Sequence, residues 1–228
     1  MSEDICQNLE KVWNRIGNAG RDPDEITLVA VSKTKPVEDV LRAFDCGQVH
    51  FGENRAKQLQ DKMDAIDQEE IEWHMVGPLQ TNKIKYMVER VNWIESVPKE
   101  KTLREIEKRA SRIGRTINTL IQVNISEEDQ KSGCMPDELA GILEYAQGYE
   151  FTVVRGLMGI ASLVEDPEEV RPEFRLLSEL LEEHKSYECE NIQLDHLSMG
   201  MTNDLEVAIE EGATMVRVGR AIFGERNY

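Results

Sequence analysis

One rhythm constrains this chain more than any single residue. A short run of apolar, often β-branched residues is followed by a stretch with helical spacing, and the pair recurs along almost the whole sequence. The apolar runs fall at 27–32, 49–52, 72–76, 93–97, 119–125, 152–160, 191–199 and 214–218. Each is short, bounded by turn residues and reads as a strand. Helical spacing follows at 36–44, 55–66, 99–113, 136–147, 167–184 and 204–211, and in a segment carrying Ile84, Met87 and Val88. An amphipathic helix over 3–18 precedes them, with Ile5, Leu9, Val12, Trp13 and Ile16 on one face, Ser2 or Asp4 as its cap, and Gly17 and Gly20 as its stops. Eight strands that each feed a helix predict a single (β/α)8 TIM barrel over residues 1–228, with one extra leading helix. An open doubly wound sheet ranks lower, because the first βα turn lacks the G-x-G-x-x-G fingerprint.

Charge narrows the partners. Against 27 basic side chains stand 44 acidic ones, a net charge of -17, and such a field repels phosphate backbones and anionic membranes. No nucleic acid and no membrane are expected, and any anionic ligand must be held by local donors inside a site. Cys6, Cys46, Cys134 and Cys189 are widely spaced without a C-x-x-C pair, so neither a zinc site nor a disulfide framework is expected and the thiols read as reduced. The N-terminal residues carry no apolar segment of signal type, and a cytoplasmic location is expected. With no obvious apolar arm, the chain is expected to be a monomer.

A barrel gathers residues distant in sequence at the mouth formed by its strand C-termini. Lys33 ends the first apolar run, before Pro36; a lysine partly desolvated there has a lowered pKa and its neutral amine attacks carbonyls. Gly52-Glu53-Asn54 ends the second run, and Arg217-Val218-Gly219-Arg220 ends the eighth. The loop after the seventh, Ser198-Met199-Gly200-Met201-Thr202-Asn203, is rich in glycine and hydroxyl groups and leads into a helix, at the place where barrels bind phosphate. An amine, an anion-holding pair of turns and an arginine between them fit an aldehyde that carries a phosphate and a ring acceptor. Pyridoxal 5'-phosphate (PLP) meets all three demands. The polar loop 126–135 reads as a lid or ligand loop or as a plain solvated excursion, and Gly156 and Gly159 allow close approach to a ligand or to another strand. His50, His74, Asp195 and His196 fall in no recognised metal spacing and read as hydrogen-bonded barrel side chains; no metal is expected.

The blocks Leu28-Val-Ala-Val-Ser-Lys-Thr-Lys-Pro36, Phe51-Gly-Glu-Asn54, Trp73-His74 with Gly77 and Leu79-Gln-Thr-Asn-Lys83, Gln130-Lys-Ser-Gly133, Gly156-Leu-Met158, Leu197-Ser-Met-Gly-Met201 and Val216-Arg-Val-Gly219 occur in this order. Together they resemble the YggS/PROSC family of pyridoxal phosphate homeostasis proteins. The resemblance implies one barrel related to the N-terminal domain of alanine racemase, PLP held on Lys33 as an internal aldimine, and no established turnover. It implies that Asn54 lies near the cofactor ring, that Ser198, Met199 and Gly200 line the phosphate site with the backbone of Gly219 and Arg220, and that Arg217 contacts the pyridine nitrogen. Arg220 departs from the Ser or Thr of many relatives, and Thr202 replaces a common Ser.

Two features agree with carriage rather than catalysis. An arginine only donates, so the ring nitrogen stays unprotonated and the ring is a weak electron sink. Ending at Tyr228, the sequence is also expected to lack the further domain that would bring a racemase its opposing acid or base. The expected function is therefore intracellular PLP homeostasis, with PLP-dependent apo-enzymes as acceptors and effects on amino-acid and 2-oxo-acid balance. A PLP-dependent racemase or lyase is the alternative, and a Schiff-base aldolase a third reading. Lys35, Lys83 and Lys131 are secondary aldehyde sites at most, and read first as solvated or ion-paired lysines.

Overall fold

The computed structural model describes residues 4–126 and 132–225; Lys131 and much of the expected loop 126–135 lie outside them. The elements are α1 (Ile5–Gly17), β1 (Thr27–Val31), α2 (Val37–Asp45), β2 (His50–Glu53), α3 (Ala56–Ala65), β3 (Glu72–Met75), β4 (Trp93–Val97), α4 (Glu100–Ile113), β5 (Ile117–Val123), α5 (Leu139–Ala146), β6 (Thr152–Gly159), α6 (Arg171–Glu183), β7 (Ile192–Ser198), α7 (Leu205–Glu210), β8 (Met215–Val218) and α8 (Arg220–Phe223). The strands are parallel and pair in chain order into a closed barrel, with β8 returning to β1 through the register Thr27↔Met215 to Ala30↔Val218. Closure places every strand C-terminus on one rim and every N-terminus on the other.

The strands alternate between two environments. Phe51, Trp73, Ile94 and Val216 face the helices, where they join Leu59, Ile106, Leu143, Phe174 and Ala208 in the main core. The intervening residues point into the barrel, and there the filling is partly polar: His74, Glu95, Ser198 and Arg217 are all buried. The expected leading helix is present as α1, capped by Asp4, which accepts from the backbone N–H groups of Cys6 and Gln7. It lies outside the barrel, where Asn8 donates to the Ile222 carbonyl at 3.1 Å and Arg15 grips Glu206 through two bonds of 2.6 and 2.7 Å. No helix among the described residues is long and apolar enough to cross a membrane.

Three sequence expectations resolve differently or more sharply here. The segment with Ile84, Met87 and Val88 is not an α-helix but a 3₁₀ stretch over Thr81–Tyr86. Its apolar residues are buried as the spacing implied, and tight turns such as the one closed by the Met87 N–H donating to the Ile84 carbonyl at 3.1 Å bury them without a regular α-helix. Cys6 and Cys46, expected as free thiols, are joined in a disulfide with a Cα separation of 5.5 Å, inside the usual range. Residues 40 apart in sequence meet because the first turn of α1 packs at the end of α2, a tertiary contact that cysteine spacing does not encode. Cys134 and Cys189 stay free, and burial pushes the Cys134 thiol up to about 12. Gly156 serves a strand rather than a ligand: a Cβ there would sit 1.9 Å from the His196 carbonyl oxygen, at a φ of +148°. The β6 ladder shifts register on both sides at this point.

Candidate functional site

The rim of strand C-termini carries the predicted residues. Lys33 follows β1 within a turn closed by the Lys35 N–H donating to the Ser32 carbonyl at 3.0 Å. The next residue, Thr34, has a φ of +65°. A β-branched residue in the left-handed region stores about 1–3 kcal/mol of backbone strain, and here it lies beside the candidate amine. The lysine itself is half-buried.

What fixes that turn was missing from the sequence reading. Lys62 of α3 is buried, with 8% of its side chain exposed, and its ammonium donates to the Ser32 carbonyl at 2.7 Å, to Ser32 Oγ at 3.0 Å and to Glu53 Oε1. The Ser32 hydroxyl in turn donates to Glu53 Oε1 at 2.9 Å. One ion pair thus ties the ends of β1 and β2 to the following helix, immediately before Lys33. The available signal was a lysine on an apolar face, since Ala56, Leu59 and Met63 are its buried companions on α3.

The opposite jaw is the end of β7 and β8. A Cβ on Gly219 would come within 2.9 Å of the Val31 carbonyl oxygen, so the β8 turn lies directly against the strand that delivers Lys33. Arg220 and Ala221 open α8, and N–H groups at a helix start have no acceptor within the helix. With six and four residues, α7 and α8 contribute little macrodipole; the individual amides are the useful donors. The Gly200 carbonyl accepts from the Arg217 N–H at 3.0 Å and the Met199 N–H donates to Met215 at 3.1 Å, which joins the two turns. The Arg220 guanidinium is exposed and 3.9 Å from Glu225.

Arg217 is held from several sides. It donates to Ser198 Oγ at 2.5 Å and to the Gly159 carbonyl at 2.8 Å, and Glu95 lies 3.9 Å away. Burial pushes its pKa down, opposed by the carboxylates of Glu95 and Asp204, but a guanidinium remains charged. The Ser198 hydroxyl also donates to Glu95 at 2.5 Å, so it is committed to this network. Burial alone would raise the Glu95 pKa; His74 at 2.7 Å, Arg217 and Ser198 more than reverse it and hold this carboxyl below its ordinary range.

Asn54 is placed farther round the rim, in a cleft of about 650 Å³ lined also by Lys83, Ser96, Gln122 and Ser132. Its Oδ1 is buried without a hydrogen-bond partner, an acceptor waiting for a donor. Of the secondary lysines, Lys35 donates to the Glu225 carbonyl at 2.7 Å and Lys83 lies over the Tyr86 ring. A hollow of about 720 Å³ beside α1 has no lysine or arginine in its lining and lacks the chemistry of the rim.

Residues 5–227 match the family model for the alanine racemase N-terminal domain. A pyridoxal phosphate homeostasis protein of Aquifex aeolicus is 42% identical over 228 residues, covering 98% of this chain and 99% of the relative. The chain belongs to this homeostasis family. A further member, from Escherichia coli K12, is 37% identical over 232 residues, covering 99% of this chain and 98% of its own. PipY of Synechococcus elongatus, solved with PLP bound, superposes with a TM-score of 0.85 at 31% identity, over 96% of this chain and 100% of that one. An alanine racemase of Clostridium difficile shares the fold alone, with a TM-score of 0.78 at 13% identity over 98% of this chain and 60% of that one.

Proposed function

We propose that this protein holds pyridoxal 5'-phosphate at the C-terminal rim of its barrel and serves intracellular PLP homeostasis, releasing the cofactor to apo-enzymes and so affecting amino-acid and 2-oxo-acid balance. The observation that carries this reading is the close approach of Gly219 to the Val31 carbonyl, which sets the turn offering backbone amides beside the strand end that leads to Lys33. The residues fit the group. Lys33 supplies the amine for its aldehyde, Arg217 a donor for its ring nitrogen, and Gly200, Gly219 and Arg220 supply N–H groups for its phosphate. Ser198 and Met199 shape that cup through their bonds to Arg217, Glu95 and Met215, and Asn54, whose buried Oδ1 has no hydrogen-bond partner, is assigned to the ring.

PLP supplies an electrophilic aldehyde joined to an electron-accepting ring. Arg217, fixed in charge by Glu95 and able only to donate, leaves that ring nitrogen without a proton, which supports storage over turnover. The test is an absorbance spectrum of the purified protein before and after borohydride, with mass mapping of the modified lysine. Label on Lys33 and loss of the visible band in Lys33→Ala are expected; label on another lysine refutes the assignment. Exchange of an amino acid's α-proton that vanishes in the same variant moves the protein to the racemase or lyase class.

A further inference from the structure

The opposite mouth of the barrel, formed by the strand N-termini, holds a second cluster that this reading does not use. His50 and Glu72 open β2 and β3 and are register partners; His74 lies two residues further along β3. His50 Nδ1 lies 3.1 Å from His74 Nε2 and 3.7 Å from Glu72 Oε2, and the three donor atoms all fall within 4.8 Å of one another. A tetrahedral zinc ion with bonds of about 2.0–2.1 Å holds its ligand atoms roughly 3.3 Å apart, so one ion fits among these three with small side-chain movements.

The surroundings also match a metal centre. His74 is fully buried, and its other nitrogen, Nδ1, is 2.7 Å from Glu95 Oε1. His74 Nδ1–H donates to that carboxylate, which leaves the Nε2 lone pair facing the cluster, the arrangement that orients metal-binding histidines. Glu72 is steadied by Trp93, whose Nε1 donates to Oε2 at 3.0 Å, while the indole stacks on His74 with rings 5.7 Å apart. The side chains of His50 and Glu72 are 30% and 41% exposed, which gives an ion an entry path and leaves a coordination position for water. Arg155, over the Trp93 ring, is neutralised by Asp195 through bonds of 3.1 and 2.7 Å.

We infer that His50, Glu72 and His74 form a binding site for one late first-row divalent metal ion of the zinc type, at the mouth opposite the candidate cofactor rim. Two imidazoles and one carboxylate suit zinc and its neighbours over calcium or magnesium, which prefer all-oxygen sets. In the metal-free form His50 donates Nδ1–H to His74 Nε2; with the ion bound, His50 carries its proton on Nε2 and its Nδ1 lone pair becomes a ligand. The inference does not depend on PLP, since every ligand lies outside the rim described above.

The test uses untagged full-length protein treated with chelator, titrated with Co2+ by visible absorbance and then with Zn2+ in competition. One Co2+ per chain with ligand-field bands of a four- or five-coordinate ion is expected, displaced by Zn2+ and not by Mg2+ or Ca2+. His50→Ala and Glu72→Gln should each weaken Zn2+ binding by at least about tenfold, since even an outer partner of a metal ligand is worth 10–100-fold. Glu72→Gln keeps an oxygen for Trp93 and preserves the fold if His50→Ala does not. Cys189→Ser, which removes an exposed thiol elsewhere, should leave the bands unchanged. Absence of saturable binding, or affinity equal to wild type in both variants, overturns the site and assigns any uptake to the acidic surface.

Discussion

Replacing Lys62 with methionine offers the sharpest probe of how the rim is built. The ammonium sits between Glu53, which is fully buried, and the two oxygens of Ser32, so Lys62→Met leaves a carboxylate in the interior with no counterion. Glu53 Oε2 has no partner even in the intact protein, so nothing beyond the Ser32 hydroxyl remains to offset its charge. Removing one member of a buried pair costs about 3–5 kcal/mol. In a chain of 228 residues each kcal/mol lowers Tm by about 2–4 °C, which predicts a fall of roughly 6–20 °C. The double variant Lys62→Met/Glu53→Leu removes both charges and should recover most of that loss, because an apolar pair of similar volume is close to neutral relative to a buried ion pair. Urea unfolding of the four proteins in the cycle gives the coupling directly. A single variant that costs less than about 1 kcal/mol, or a double variant no better than the sum of its parts, refutes the claim that this pair clamps the turn. Since Ser32 also closes the Lys33 turn, the single variant should lose PLP affinity alongside stability.

Further expectations concern the cysteines and acid stability. A disulfide closing a 40-residue loop contributes about 4 kcal/mol by chain-entropy reasoning, so reduction or Cys46→Ser should lower Tm clearly. Non-reducing intact mass should be two hydrogens lighter than the reduced chain; an unchanged mass refutes the bridge. The depressed pKa of Glu95 adds stability that is complete above the pKa of an unfolded glutamate, about 4.3, and is lost as pH falls through the lower folded value. The Tm difference between wild type and Glu95→Gln should hold from neutral pH down to that point and shrink below it; a difference constant to strong acid would show that this carboxylate gains nothing from its partners.

The barrel was legible because its signal is repeated: eight apolar runs, each bounded by turn residues, leave few closed architectures. The rim residues were legible because barrels concentrate chemistry at strand C-termini, which drew attention to Lys33, Arg217 and the glycine turns. The 3₁₀ segment was not legible because the spacing of Ile84, Met87 and Val88 fits an α-helix and tight turns alike, and apolar spacing alone does not distinguish the two windings. The ion pairing of Glu53 with Lys62 and the network around Glu95 escaped notice for another reason. A charged residue inside an apolar pattern looks like an exception until its partner is known, and the partners come from other elements: Lys62 on α3, Ser198 on β7, Arg217 on β8. Glu72 and His50 belong together only through the β2–β3 register, and the cysteines only through the docking of α1.

Glu95 accepts from Ser198 on the side of Arg217 and faces His74 on the other. One carboxylate thus touches both the network at Arg217 and the imidazole of the second cluster. Whatever a cation bound by the histidines does to affinity at the amine-bearing end, a ligand arriving there must do, in equal measure, to the cation.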